Sequence, residues 1–552
     1  MATMKREPKY TIVTARNGRR YAYIADQHVW DKDKQQCRTK LTYYGTVDDD
    51  GVVHPKKQKL VKAEVKEDPT MGDGSLSLVS EKNIGMTRVL SRISEEIGLS
   101  EALKESFPKT WRSILSLAMY HVGAGSNAAY LFEEWAEETE TPIGKSVLTS
   151  RMISELYKGM DNARRLDFLH NWRNKASTGG ACFHDITSIS SYSLKSDVVE
   201  YGYNRDKEDL LQINLGMVSD SGNRLPLYYK IHDGSITDVS TLKNVLKEGY
   251  AFNMKNLTFV MDKGFFSKGN IEAMYSFDYH FIVSMSFTAN AAFEAVDRVR
   301  DTIRHPRNVV CTTNGEYLYA SSFETCWGAE DLKRKCRIHV YTKLLNDIAI
   351  RSGNLDLKLV DCLNELNSGE WNNAHAPLYA RYFEETVCSD GSKSYIYNDE
   401  AIRNSENRYS GYLCIVTDNP ELTSEQVIDV YRDKDGIEKV FDDVKNIQDC
   451  RRLNVQSRPV MEGRMFVVFI AAILVSEIRQ RMKHNYRGKD AWTIDLIRKK
   501  LNRIRFSKVK VGAKAAKGLF SIFSCSQRAI LSALFDVSAK DVEQTLMDAV
   551  IV

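Results

Sequence analysis

The sequence predicts a mixed α/β fold, in which a β-rich insertion interrupts a sheet core, with an N-terminal β module and helical flanking regions. Apolar β-prone runs alternate with helical periodicity from residue 179 onward. A polar, turn-rich stretch from 290 to 410 breaks this rhythm, and strand-like sequence resumes after it. At 552 residues the chain exceeds what one hydrophobic core usually supports, so several domains are expected.

Composition excludes several broad classes of protein. Hydrophobic residues at 43% and charged residues at 27%, with only 10 prolines, are typical of a folded chain. The formal charge of +4 does not by itself indicate nucleic acid. The ten cysteines are scattered without a CxxC pair and no secretory signal opens the chain, which favours reduced thiols in the cytoplasm over disulfides or structural zinc. The apolar run Met465–Val475 is too short to span a bilayer and predicts a buried helix, so no membrane segment is expected.

Residues 1–68 are predicted to form a basic, β-rich N-terminal module. Its β-prone runs include Tyr10–Thr14 and Tyr21–Ile24, with turn signals at Asn17-Gly18 and Asp50-Gly51. Interleaved basic and aromatic residues fit DNA contact and a solvated small β domain equally well, so both interpretations stay open.

A helical region is predicted from 75 to 178, after a linker at Pro69–Gly74. Helical periodicity is clearest at Arg112–Val122 and Leu148–Trp172. DNA binding is a candidate role for this region.

Residues 179–289 are predicted to form the first part of the sheet core. The expected order is three antiparallel strands, a helix, a strand, a second helix and a further strand: Ala181–Asp185, Gln212–Val218, Leu225–Ile231, Val239–Gly249, Leu257–Asp262, Ser267–Tyr275 and Tyr279–Met285. This order is the opening of a ribonuclease-H-like fold.

The remaining chain divides into three predicted segments. The β-rich insertion occupies 290–410, with strands at Arg337–Thr342 and Ser394–Tyr397, and the second part of the core occupies 411–478. Residues 479–552 form a basic helical C-terminal region. Between residues 479 and 517 this region contains 14 Lys or Arg residues and only two acidic residues, so the net charge of the stretch is +12. Apolar residues interleaved among the basic ones from Trp492 to Phe506 predict an amphipathic helix. Its basic side either contacts DNA phosphates or is simply a solvated face, and both interpretations stay open.

Two carboxylates follow apolar strands of the predicted core. Asp185 ends one strand and Asp262 ends another, and strand ends project side chains into a cleft. Carboxylates there are suitable ligands for Mg²⁺ or Mn²⁺, which prefer oxygen donors. The alternative for each aspartate is a turn-capping role.

A third acid lies in the segment YRDKDGIEKVFDDVK, residues 431–445. Tyr431, Lys434, Glu438 and Lys445 are spaced so that one helix presents all four on a single face. That face carries one acid flanked by bases, which is also what a salt-bridged solvated face contains. Four apolar residues form the opposing stripe and are predicted to be core: Ile437, Val440, Phe441 and Val444.

Five segments in this order resemble DDE transposases of bacterial insertion sequences. They are HDITS with Asp185, GYNRDKEDLLQINLG at 202–216, PLYYKIHDGSITD at 226–238, VMDKGF with Asp262, and YRDKDGIEKVFDDVK with Glu438. The resemblance is to the group with a β-strand insertion and a Tyr-Arg-Glu-Lys signature, and it covers roughly residues 145–480.

The resemblance implies roles for individual residues. Asp185, Asp262 and Glu438 take the places of the catalytic, metal-binding triad, which holds two Mg²⁺ or Mn²⁺ ions. Further residues take places that contact DNA: Tyr431, Lys434, Lys445 and Lys263. An aromatic residue of the insertion stacks on a flipped base in relatives, and Trp327 and Trp371 are the candidates, with a core position as the alternative. Lys434 and Lys263 stand where arginine is usual, which keeps the charge but loses bidentate phosphate geometry.

The function implied is cut-and-paste transposition. Its partners are double-stranded DNA, as terminal repeats and target, and a second copy of the chain in a homodimer, acting on the nucleoid in the bacterial cytoplasm. Two alternatives remain open: a catalytically inactive transposase-derived DNA-binding protein, and a ribonuclease-H-like nuclease that cuts without joining.

Overall fold

The structure is a computed structural model. It describes residues 10–14, 20–31, 36–48, 51, 53–55, 76–193, 196–251, 257–287, 289–327, 334–343, 348–387, 393–402, 409, 411–488, 491–511 and 517–549. The chain divides into two compact units, Met1–Ser75 and Leu76–Val552.

The first unit contains a four-stranded antiparallel sheet. Its strands follow chain order: β1 (Tyr10–Thr14), β2 (Arg20–Asp31), β3 (Gln36–Val47) and β4 (Val53–Pro55). Both predicted β-prone runs are confirmed as strands. Gly51 has a φ of +86° between β3 and β4, a conformation that glycine adopts without strain, as the predicted turn there requires. The turn at Asn17-Gly18 and the linker at Pro69–Gly74 lie outside the described residues.

The second unit opens with one strand followed by six helices. These are β5 (Leu76–Asn83), α1 (Gly85–Glu96), α2 (Leu99–Ser106), α3 (Trp111–Ala124), α4 (Phe132–Glu138), α5 (Ser150–Gly159) and α6 (Asn162–Ala176). The helix predicted at Arg112–Val122 is α3. The run predicted at Leu148–Trp172 is two helices, because the Asp161 carboxylate accepts from the Arg164 amide at 2.9 Å and caps a new one.

All seven elements predicted for the first part of the core are present. They are β6 (Ala181–Ser191), β7 (Gln212–Asp220), β8 (Pro226–Asp233), α7 (Asp238–Ala251), β9 (Thr258–Met261), α8 (Lys268–Ser276) and β10 (His280–Ser284). The prediction that Asp185 ends its strand is wrong. β6 continues to Ser191 because its residues beyond Asp185 pair with β7 as far as Ser190 and Gln212.

The insertion contains more helix than its sequence predicted. Its elements are α9 (Asn290–Ile303), β11 (Val309–Cys311), β12 (Tyr317–Trp327), β13 (Arg334–Lys343), α10 (Ile348–Ser368), α11 (Ala376–Tyr382), β14 (Phe383–Val387) and β15 (Lys393–Tyr397). The 21-residue helix α10 was not predicted, and it lies beside the strands of this β-rich segment. Leu355, Leu359, Cys362 and Leu366 recur at helical spacing there and turn toward a local core.

After the insertion, whose strands β11–β13 are part of the main sheet, the chain adds a further strand to that sheet beside β13. The elements of this part of the chain are β16 (Tyr412–Thr417), α12 (Ser424–Arg432), α13 (Asp435–Asp442), a π-helical turn at Asp443–Ile447, β17 (Arg452–Leu453) and α14 (Arg458–Asn485). The sheet order is β11-β12-β13-β16-β10-β9-β6-β7-β8, with β17 also beside β6. β9 lies parallel to both β6 and β10.

Helix α14 confirms the prediction of a buried helix at Met465–Val475. By length and composition it is the one described helix that qualifies as a candidate membrane span, but 83% of its apolar window is buried inside the protein. It packs against α3 and α5. At Gly463 a side chain would meet the backbone oxygen of Tyr157 at 2.3 Å, so α5 and α14 approach closely because this residue is glycine.

The C-terminal segment is only partly the helical region that was predicted. It consists of α15 (Ile494–Leu501), β18 (Arg505–Val511), β19 (Lys517–Phe520), α16 (Cys525–Phe535) and α17 (Val542–Asp548). The amphipathic helix therefore ends at Leu501 and does not reach Phe506. β18 is a strand because it pairs with β5 on one side and β19 on the other, which forms a three-stranded antiparallel sheet.

Candidate active site

Two aspartates lie level on neighbouring strands. The parallel pairing of β6 with β9 sets Phe183 opposite Val260, and Asp185 and Asp262 each follow two residues later. Asp185 is therefore placed by strand register, within its strand. Asp262 directly follows β9 and caps a short 3₁₀ turn by accepting from the Lys263 amide at 2.8 Å. Asp262 therefore caps a turn, as the alternative interpretation proposed, and its side chain also lines an open cleft in the surface of the protein.

The third acid lies on a segment that is not one continuous helix, as had been predicted. Helix α12 begins with a capping box at Thr423 and ends at Arg432, and α13 begins at Asp435. Between them the backbone tightens, and the Ile437 amide donates to the Lys434 carbonyl at 2.9 Å, three residues away. Asp443–Ile447 then widens into a π-helical turn, an irregularity that is frequent at functional sites.

Despite this break, two signature residues, Tyr431 and Lys434, contact the three acids. The Tyr431 hydroxyl donates to Asp262 Oδ1 at 2.9 Å. Lys434 Nζ lies 3.0 Å from Glu438 Oε1 and 4.0 Å from Asp185 Oδ2. The signature and the two aspartates therefore form one connected cluster.

This cluster lines an open cleft of about 440 Å³. Polar groups dominate the lining: Asp185, Thr187, Arg205, Asp206, Asp262, Lys434, Glu438, Asp442, Lys445, Asn446 and Arg451. Glu438 is the most accessible of the three acids, with 58% of its side chain exposed against 17% for Asp185. The apolar residues predicted to back the signature, Ile437, Val440, Phe441 and Val444, are all buried.

The charges in the cleft influence one another. Burial raises the pKa of Asp185, although Lys434 and Arg205 oppose this effect. Burial also acts to raise the pKa of Asp262, but the charge of Lys434, the Lys263 amide and the Tyr431 hydroxyl together lower it. Burial acts to lower the pKa of Lys434, and the three carboxylates outweigh it and raise that pKa. Lys434 is therefore a firmly charged cation among the acids.

The donor set suits divalent ions that prefer oxygen. Asp185, Asp262 and Glu438 supply carboxylates to one solvent-open cleft, which leaves room for water or phosphate oxygens. Among the described residues, these acids are not a set whose ligand atoms all lie within 4.8 Å of one another.

The other residues expected to contact DNA have different surroundings. Lys263 is exposed beside Asp262. Lys445 is buried, and its Nζ donates to Asp206 Oδ2 at 2.7 Å, so its charge is balanced inside the protein.

The two candidate tryptophans lie in different parts of the insertion. Trp327 is half-buried at the end of β12, with its ring 5.6 Å from that of Phe266, just after the Asp262 turn. Trp371 is 60% exposed, and its ring lies 5.2 Å from Tyr379 in the local core of the insertion. As the residue that would stack on a flipped base, Trp327 is favoured by its position near the Asp262 turn, and Trp371 is favoured by its exposure to solvent.

Sequence reasoning gave no role to Arg205 and Asp206, which line the cleft. They lie in the segment 202–216, whose motif was noticed only as part of the resemblance. Two serines of β6 hold this loop: Ser188 Oγ accepts from the Arg205 amide at 2.9 Å, and Ser190 Oγ from Asn204 at 3.0 Å. Serines at alternating positions in an otherwise apolar strand were the available signal.

Comparison with known proteins agrees with this geometry. The model of the transposase DDE domain family matches residues 179–474, which is more than half of the chain. No curated protein matches. A cryo-EM structure of a piggyBac transposase synaptic complex with hairpin DNA is similar with 9% identity and a TM-score of 0.36, covering 84% of this chain and 82% of that chain. We draw nothing from a similarity of that size. The family match spans both strands that carry the aspartates and the helix that carries Glu438, and the chain belongs to the transposases with a DDE domain.

Proposed function

We propose that this transposase cuts the ends of its element and joins them to target DNA by a cut-and-paste route, with Asp185, Asp262 and Glu438 as the catalytic, metal-binding triad. One observation carries the proposal. The β6–β9 register sets two aspartates level on neighbouring central strands, and Lys434 lies between Asp185 and Glu438 in the open cleft that all three acids line.

The sheet topology supports a ribonuclease-H-like core. Three antiparallel strands, β6, β7 and β8, are followed by β9 parallel to β6 and by β10 parallel to β9. We propose that residues 179–289 and 411–478 form this core on either side of the insertion.

Two divalent ions, Mg²⁺ or Mn²⁺, would activate a water or a 3′-hydroxyl and stabilise the leaving oxygen during in-line attack on a phosphodiester. The residues of the chain prepare the cleft for this reaction. Tyr431 fixes the orientation of the Asp262 carboxylate through its hydrogen bond. Lys434 balances the charge of the acids and is placed to receive a DNA phosphate, as is exposed Lys263.

The DNA substrate is double-stranded, comprising the terminal repeats of the element and a target site. We propose that two copies of the chain pair two ends in a homodimer. Tyr431, Lys445 and Trp327 remain in the proposal as residues near the DNA. For Lys445 the contact requires release from Asp206, or an effect through it.

The test is a cleavage and strand-transfer assay on DNA that carries the flanking sequences of the gene, with Mg²⁺ or Mn²⁺. Glu438→Gln is compared with the intact protein and with Asp435→Asn, an exposed carboxylate on the same helix outside the cleft lining. We expect Glu438→Gln to lower the rate by about 100-fold or more while DNA binding persists, and Asp435→Asn to retain the rate.

The products decide between the alternatives. Metal-dependent joined strands that are lost in Glu438→Gln support the proposal. Cut ends without joining identify a nuclease, and binding without either product identifies an inactive DNA-binding relative. Full activity of Glu438→Gln would remove that residue from the triad.

A further inference from the structure

The insertion has a small hydrophobic core of its own, separate from the main core. It is formed by α10, α11, β14 and β15, and its buried members are Leu359, Cys362, Leu366, Tyr379, Tyr382 and Phe383. A core of this size gives little stability, and small folds of this kind commonly need a further crosslink such as a metal ion.

Three side chains of different chemistry meet beside this core. Cys362 and Glu365 lie three residues apart on α10, and His375 lies in the 3₁₀ turn before α11. Their ligand atoms are all within 4.8 Å of one another, which holds for no other trio of His, Cys, Asp or Glu in the part of the chain that the structure describes. His375 Nδ1 lies 2.8 Å from Glu365 Oε2, and Cys362 is fully buried.

We infer that Cys362, Glu365 and His375 form a transition-metal site, with Zn²⁺ as the expected ion, distinct from the acid cleft. A thiolate and an imidazole select zinc, whereas Mg²⁺ and Mn²⁺ prefer the all-oxygen donors of the cleft. The site is a second metal centre, and it belongs to the insertion.

The geometry requires only a small adjustment to bind the ion. Zinc bonds of about 2.0–2.3 Å place tetrahedral ligands about 3.5 Å apart. Donors at the 4.8 Å limit must approach by roughly 1 Å, whereas His375 Nδ1 and Glu365 Oε2, which lie 2.8 Å apart, must separate slightly. The Tyr379 hydroxyl donates to Glu365 and so orients its carboxylate, as groups behind metal ligands commonly do. Water completes the coordination, and the thiol proton of Cys362 is released on binding.

The site also has a consequence for Trp371. This residue lies between Glu365 and His375 in the chain, and its ring rests on Tyr379. A metal bound by residues of α10 and of the turn before α11 would restrict the motion of the short connection that carries the exposed Trp371 ring. The scattered cysteines gave no sign of zinc, because two of the three ligands are not cysteine.

The test uses the full chain, stripped of metal and titrated with Co²⁺ as a spectroscopic substitute for zinc. We expect one equivalent to produce a near-ultraviolet thiolate-to-cobalt band, which zinc then abolishes by displacement. Cys362→Ser removes the band, and His375→Gln weakens cobalt binding by about tenfold or more. Cys326→Ser, an exposed cysteine of the same insertion, keeps it.

A doubly substituted Asp185→Asn, Asp262→Asn protein separates this site from the proposed catalytic function. It is expected to lose strand transfer yet keep the cobalt band, so the two proposals fail independently. Circular dichroism checks that each variant folds. If Cys362→Ser does not fold, the test of the site rests on His375→Gln and on the reversible cobalt titration of the intact protein. Absence of a saturable band, or a band that survives both single variants, overturns the inference.

Discussion

At the scale of single residues, Lys434 has the most unusual position in the molecule. Its ammonium is buried among three carboxylates, and only 8% of its side chain is exposed. An ammonium is a compact charge without the planar fork of arginine, so it neutralises acids without fixing their geometry. In the DNA-free protein this charge competes with incoming cations for the same oxygens.

We therefore predict that Lys434→Met binds Mn²⁺ more tightly than the intact protein when DNA is absent, by about tenfold, since a nearby positive charge is removed. Strand transfer should nevertheless be slower, because a phosphate contact is lost. Isothermal titration with Mn²⁺ measures the affinity. Lys439→Met, on the same helix but outside the lining of the cleft, is the control. An unchanged Mn²⁺ affinity would argue against competition.

The pH dependence of metal binding follows from Asp185. Because burial raises its pKa, this carboxyl becomes protonated at a higher pH than an ordinary aspartate, whose pKa is about 3.9. Mn²⁺ affinity should therefore be full above the raised pKa and fall as the pH decreases through it. In Lys434→Met the acidic limb should move to still higher pH, since the lysine charge opposes the effect of burial. Affinity measured against pH tests both, and an acidic limb that stays in place would contradict the second.

Residue-level prediction from sequence succeeded where spacing alone determines position. Asp185 and Asp262 lie level because each is two residues beyond a paired position of β6 and β9. The side chains of Tyr431, Lys434 and Glu438 lie on the same side of their segment and are close to these aspartates. Sequence reasoning did not reveal that Lys445 pairs with Asp206, because Asp206 belongs to a loop whose path depends on hydrogen bonds to β6. Such a contact has no local signal in the sequence. The prediction that Lys445 contacts DNA stays a prediction.

At the scale of elements, the close crossing of α5 and α14 supports the helical layer beside the sheet. Gly463 lies where a Cβ would meet the Tyr157 carbonyl, a backbone atom that cannot turn away. Gly159 ends α5 with nothing within 4 Å of its would-be Cβ. Substitution by alanine can therefore be compared at a crowded position, Gly463, and at an open one, Gly159.

Gly463→Ala should destabilise the protein by about 1–3 kcal/mol, because the two helices must separate. Gly159→Ala should leave the free energy of unfolding within about 0.5 kcal/mol of the parent value or slightly raise it. Chemical denaturation of both variants measures the difference. Equal stabilities would show that the helices adjust without cost.

Elements were predicted well where one period dominates, as in the core strands and α14. They were missed where tertiary pairing decides the outcome. Arg505–Val511 becomes a strand because β5 and β19 flank it, and α10 was hidden by turn-forming residues on either side of its apolar stripe. The break at Lys434 followed from backbone bonds that helical spacing does not register.

At the scale of the whole molecule, the charge of the C-terminal segment is less available than its sequence indicates. Arg479 pairs with Asp443, Arg498 with Asp495 and Arg505 with Glu81. A nearby carboxylate balances the charge of each of these arginines, whereas Lys508 and Lys510 are exposed along β18. We expect DNA binding to depend on the second group.

Substituting Lys508 and Lys510 together by alanine should reduce the slope of log affinity against log salt by about 2, since each phosphate contact contributes about 0.9. Arg479→Ala should leave that slope unchanged while lowering stability, because its partner Asp443 is buried. Fluorescence anisotropy over a range of salt concentrations measures the slope. A larger change for Arg479→Ala than for the lysine pair would reverse the assignment.

The pairing of β5 with β18 joins residues more than 400 positions apart, Leu76 with Val511 among them. During synthesis the ribosome releases β5 long before β18 exists, so until then the backbone groups of β5 that later pair with β18 form an open strand edge. A nascent chain that stops before Arg505 keeps that edge and is prone to aggregate.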